Sequence, residues 1–87
     1  MAAARVHNTL AMLAHPQRIA VLWQLAWTDE SVLDCSVYRD ARGFEMRVES
    51  NGVLVAGERC DLQPRAIARA QALRDSLLRH GWRERVV

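Results

Sequence analysis

Alternation of apolar and polar side chains runs through residues 33–60, and the pair Asn51-Gly52 interrupts it near the middle. Asn-Gly accepts the two positive φ angles of a type I′ turn, whose twist matches the strands it joins, so a tight hairpin is expected there. A two-residue loop sets Ser50 opposite Val53, Val48 opposite Val55, Met46 opposite Gly57 and Phe44 opposite Arg59. One face then carries Phe44, Met46, Val48, Val53 and Val55, and the other Glu45, Arg47, Glu49, Leu54, Ala56 and Glu58. Upstream, Leu33, Cys35 and Val37 alternate with Asp34, Ser36 and Tyr38, and Asp40-Ala41-Arg42-Gly43 has turn chemistry. A four-residue loop brings Val37 to Met46 and Cys35 to Val48 on the same face.

Residues 19–27 fit a helix or a strand. The strand reading is favoured because a loop at Asp29-Glu30-Ser31 pairs Trp27 with Leu33, Leu25 with Cys35 and Trp23 with Val37, again on one face. Residues 2–14, rich in alanine with Val6, Leu10 and Leu13 at helical spacing, predict a short helix ended by His15-Pro16. Residues 65–80 predict a long helix, with Pro64 suited to its first turn and Gly81 to its left-handed stop. Its apolar stripe is Ala66, Ile67, Ala70, Leu73, Leu77 and Leu78, with Leu73 and Leu77 expected at the core centre. Arg74 borders that stripe, so its stem should pack while its head reaches an acid or water. Residues 83–87 read as a frayed tail.

These elements make one α+β domain over residues 1–87: a short N-terminal helix (1–15), an antiparallel three- to four-stranded meander (21–60) and one long C-terminal helix (64–81) packed on it. The apolar share of 51% belongs to a globular domain rather than a disordered tail.

Charge sharpens the picture at one end only. The net charge is +2, but six of the twelve arginines and only two of the ten acids follow Asp61. Every basic side chain is arginine, a bias expected of a GC-rich genome. Arg65, Arg69 and Arg79, with Arg83 beyond, therefore form a candidate phosphate-binding face. Two cysteines without a Cys-x-x-Cys motif fit a reducing compartment, and the cytoplasm is the expected location.

The segments Leu22-Trp23-x-Leu25, Cys35, Gly43-Phe44-Glu45-x-Arg47, Ala70 and Arg74-x-x-Leu77-x-x-x-Gly81-Trp82 resemble a group of short uncharacterised bacterial proteins from GC-rich genomes. The resemblance spans roughly residues 21–84 and implies a meander followed by one helix; it implies no activity. Leu13-Ala14-His15-Pro16-x-Arg18-Ile19-x-Val21-Leu22 resembles the opening helix of ArsR-type winged-helix repressors, but strands follow where that family has further helices. The order helix, three strands, helix also resembles a double-stranded RNA-binding domain. Gln63-Pro64-Arg65-Ala66 stands where that family carries a lysine cluster, however, and the phosphate contacts lie there.

No catalytic or metal motif accompanies the pattern. Cys35 is expected inside beside Val48, and His7, His15 and His80 lack ligand spacing, so neither a metal nor a cofactor is expected. Glu45, Glu49 and Glu58 read as cross-strand charges on a solvated face. The sheet's second face would expose Tyr38, Leu54, Ala56 and Cys60, and an uncovered apolar patch marks an interface. The chain is therefore expected to be a non-enzymatic module that binds a partner protein, or itself as a homodimer, through those four residues. Nucleic-acid binding through Arg65, Arg69, Arg79 and Arg83 is the alternative.

Overall fold

The computed structural model describes residues 16–85. The expected N-terminal helix falls on residues outside that range. The strands are β1 (Gln17–Thr28), β2 (Ser31–Asp40), β3 (Gly43–Ser50) and β4 (Val53–Cys60), followed by helix α1 (Gln63–Arg79) and a short β5 (Arg83–Glu84). They form one antiparallel sheet in the order β4-β3-β2-β1-β5, with α1 across one face. The α+β meander with a single C-terminal helix follows from the alternation read above.

Residues 17–28 are a strand, because only then do Trp23 and Leu25 share a face with Cys35 and Val37. The β2–β3 ladder has the expected register, Val37 opposite Met46 and Cys35 opposite Val48. Its turn is shorter than expected, since Asp40 already pairs with Gly43 and its Oδ1 accepts the Arg42 amide at 2.8 Å.

Two other registers differ. In the β1–β2 hairpin Thr28 pairs with Ser31, and shifts near Trp27 and Leu22 set Leu25 opposite Leu33 and Trp23 opposite Cys35. The slip amounts to two residues, so both side chains keep the expected face. In β4 the slip is odd. Val53 pairs with Ser50 and Leu54 with Glu49, but a bulge at Val55 then sets Ala56 opposite Val48, Glu58 opposite Met46 and Cys60 opposite Phe44. A bulge inserts one unpaired residue and turns the rest of the strand over. Ala56, Glu58 and Cys60 thereby move to the helix-covered face, and Val55 is left 56% exposed at the edge.

The core consists of Trp23, Leu25, Cys35, Val37, Met46 and Val48 from the sheet with Ala66 and Ala70 from α1. Its centre lies under the two alanines and not under Leu73 and Leu77, which are only partly buried. Small side chains let the helix backbone approach the sheet, so the Trp23 indole Nε1–H donates to the Ala70 carbonyl at 2.9 Å. That bond satisfies a buried indole donor at no cost in side-chain volume.

Helix α1 starts without a side-chain cap: the Leu62 carbonyl accepts the amides of Arg65 and Ala66, and Pro64 stands in the first turn. It ends as expected at Gly81 (φ +101°), with the Trp82 amide bonded to Leu77 O at 3.0 Å and the Gly81 amide to Leu78 O at 3.2 Å. Residues 83–85, expected to fray, are held in place, and the rest of that expected tail lies outside the described residues. Arg83 and Glu84 pair with Ala26 and Leu25, and the Arg85 amide donates to Gln24 O. Arg74, its side chain 28% exposed, reaches the carboxylate of Glu84 and ties β5 to α1.

Gly81 has a second role. A Cβ on it would lie 2.8 Å from Cζ3 of Trp27, whose ring packs against Trp82 with centroids 6.0 Å apart. Gly81→Ala is expected to destabilise the fold by about 2 kcal/mol, part from left-handed strain and part from displacing the indole. Urea denaturation checks this, and the loss should shrink in a Trp27→Leu background where the ring is gone.

Candidate protein-binding edge

Of the four residues expected on the second face, the register keeps two there. Tyr38 is in a polar network: its hydroxyl donates to Glu49 Oε1 at 3.2 Å, and the Arg47 guanidinium lies 4.5 Å from the ring centroid while pairing with Glu45. Leu54, opposite Glu49, is 53% exposed. Ala56 and Cys60 are on the other side, Cys60 packed against the core cluster. The second face thus carries charged and hydroxylated side chains over β2 and β3, with Leu54 at one rim and Val21, exposed opposite Ser36, toward the other. Asp34 lies on it directly opposite Glu49, and its Oδ1 is buried without a hydrogen-bond partner among the described residues.

The exposed large apolar side chains of the sheet lie on two strands, Ile19, Val21 and Trp27 on β1 and Val53, Leu54 and Val55 on the edge strand β4, and only on β4 are they consecutive. Strand β4 is outermost, with β3 on one side and no strand among the described residues on the other. Val53, Leu54 and Val55 are each more than half exposed in an unbroken run. An edge strand presents unpaired amides and carbonyls, the template another strand needs. Of the devices that usually blunt such an edge, lysine and proline are missing from β4, and the charges Glu58 and Arg59 stand only in its second half, so the run Val53-Leu54-Val55 is protected by the bulge alone.

The helix side of that edge is basic. Arg69 Nε donates to both carboxylate oxygens of Glu58, at 3.1 and 3.0 Å, yet its side chain remains 60% exposed. Arg69 borders the same cleft as Ala56 and Gly57. A neighbouring cleft of about 300 Å³ is lined by Arg65, Arg69, Glu58, Asp61 and Cys60. On the opposite side Arg59 donates to Asp40 Oδ1 at 2.6 Å, a bond that holds the Asp40 carboxyl below its ordinary pKa.

The candidate phosphate-binding face is divided. Arg69 is engaged by Glu58, while Arg65, Arg79 and Arg83 are exposed and form no ion pair among the described residues. Arg79 ends α1 and Arg83 opens β5, at the far end of the helix from Arg65.

Among the described residues no group of three or more histidine, cysteine, aspartate or glutamate side chains could hold a metal ion. Cys35 is fully buried, and burial pushes its thiol up to about 12, where it carries no thiolate at neutral pH. No helix among these residues is long and apolar enough to cross a membrane. No protein-family model, curated protein or solved structure matches the chain.

Proposed function

We propose that the protein is a small non-enzymatic interaction module of the bacterial cytoplasm that binds protein, a partner or itself, by adding a strand to the open edge of β4. The observation that carries this reading is the run Val53-Leu54-Val55, more than half exposed at each position on an unpaired edge strand. Main-chain hydrogen bonds would supply affinity there, and the exposed side chains selectivity. The edge takes the place of the second face as the binding surface, because the bulge removes Ala56 and Cys60 from that face.

Val55→Lys tests the reading. A charge on an edge strand opposes further pairing and leaves the core untouched. The variant should keep the wild-type circular dichroism and lose whatever protein, foreign or identical, the wild type retains. Full retention by a folded Val55→Lys protein would overturn it.

Nucleic-acid binding stands as a second reading because Arg65, Arg79 and Arg83 carry no ion pair among the described residues. It predicts retention on duplex RNA or DNA that weakens steeply with salt. Absence of retention at low salt would end it.

A further inference from the structure

The two edges of the sheet are unequal. Strand β4 is open along its whole length, whereas on the far side β5 covers only Leu25 and Ala26 and leaves the rest of β1 without a strand neighbour among the described residues. Head-to-tail addition of one copy's β4 to another's β1 would therefore propagate rather than close. Joining β4 to a second β4 uses the same edge twice about a two-fold axis, which makes that contact self-complementary and closed.

Charge then narrows the register, and the position of Arg69 beside Ala56 favours Gly57 over Ala56 as the axis. A two-fold axis between antiparallel β4 strands has to pass through a residue position, because paired residues point to the same side of a sheet. An axis at Glu58 sets two carboxylates face to face, and one at Arg59 two guanidinium groups, each a repulsive pair. An axis at Gly57 runs close to the middle of the strand and puts no side chain against its own copy. It sets Ala56 opposite the partner's Glu58 on the helix side.

Arg69 lies beside Ala56 there and contacts its own Glu58 through Nε alone, so the terminal nitrogens of the guanidinium remain to donate across the axis. Each arginine would bridge two carboxylates, in a ring of two Arg69 and two Glu58 side chains. On the other face Glu45 lies over Gly57, where a Cβ would come within 3.3 Å of its Oε2, and Arg47 neutralises it. Val53, Leu54 and Val55 would run alongside the last residues of the partner's β4 and lose their contact with water.

Resting on the edge reading above, we infer that two copies of this chain pair β4 to antiparallel β4 about an axis at Gly57, giving one continuous sheet with both helices on the same face.

The test is the solution mass of the full chain by light scattering and sedimentation over a wide concentration range, with matching circular dichroism throughout. Wild type should reach dimer mass. Val55→Lys and Arg69→Glu should each weaken association about tenfold or more, equivalent to about 1.4 kcal/mol. The double variant Glu58→Arg with Arg69→Glu keeps every opposite-charge contact within its own dimer and should self-associate. It should not exchange subunits with wild type, because in a mixed dimer each side chain at position 69 would meet a like charge at position 58 across the axis.

A wild type that stays monomeric at all concentrations overturns the inference. A dimer that survives in Val55→Lys, or a double variant that mixes freely with wild type, does so too. Should Val55→Lys fail to fold, hydrogen exchange on wild type decides: β4 amides must gain protection as concentration rises. A monomeric wild type that binds a foreign protein, with the binding lost in Val55→Lys, refutes self-pairing and upholds the edge as a protein site. A dimer formed through another surface refutes both.

Discussion

Leu25→Ala is expected to cost about 2–5 kcal/mol of folding stability, the range for emptying a buried leucine site. Leu25 is fully buried at the point where β1 is flanked on both sides: Leu33 of β2 lies opposite it, and so does Glu84 of β5. Its surroundings cannot close over the lost atoms. Strand β1 is pinned by ladders to two neighbours and by the Trp23 indole bond to Ala70. For a domain of this length the whole margin is about 4–13 kcal/mol, so one truncation removes a large share of it. Urea denaturation followed by tryptophan fluorescence measures the loss. Leu54→Ala is the control: an equal truncation at a side chain 53% exposed should fall within about 0.5 kcal/mol of wild type. Equal losses at the two positions would mean that the core is not centred on β1 and β2.

That contrast also shows how far the chain could be read before its fold was known. The β2–β3 ladder was legible because both strands alternate cleanly and the turn formers Asp40 and Gly43 bracket the loop between them. Strand β4 was not, because Val53-Leu54-Val55-Ala56 is apolar at every position and gives alternation no phase. A bulge can sit anywhere in such a run without altering the pattern. The partner of Glu58 held the missing information: Arg69 lies four residues from Arg65 and from Leu73 on α1, so a Glu58–Arg69 pair requires Glu58 on the helix side. The pairing of β5 was hidden for another reason. Two residues are too few to show any period, and what holds them is the Arg74–Glu84 contact, which is distant in sequence from the strand it supports.

The candidate site was legible only in kind. An exposed apolar patch beside Leu54 was foreseeable from the mismatch between apolar content and available cover, but its place depended on register. With Ala56 and Cys60 turned inward, what remains outside is the edge and not the face. Likewise, the core centre moved from Leu73 and Leu77 to Ala66 and Ala70 because close approach of a helix is set by its smallest residues, while a helical wheel weights the largest.

Raising the pH should uncover Cys35. Its thiol ionises near 9.0 in an unfolded chain but only near 12 in the folded one, because burial disfavours the thiolate. Below pH 9 both states hold the proton and stability does not depend on this group. Above it the unfolded state releases the proton while the folded state keeps it, so the unfolded state binds fewer protons and stability falls as pH rises. The slope approaches about 1.4 kcal/mol per pH unit through the window and levels off once the folded pKa is passed. Denaturation midpoints of wild type and Cys35→Ala at pH 8, 10 and 11 isolate the effect, since every other side chain is common to the two proteins. The gap between the two curves should change with pH in favour of the alanine variant, which lacks the titrating group even though it gives up some packing. Over the same range a thiol reagent should modify native Cys60, half-buried at the sheet edge, well before Cys35. A gap that stays constant from pH 8 to 11 would place Cys35 in contact with water, and the core drawn around it would have to be abandoned.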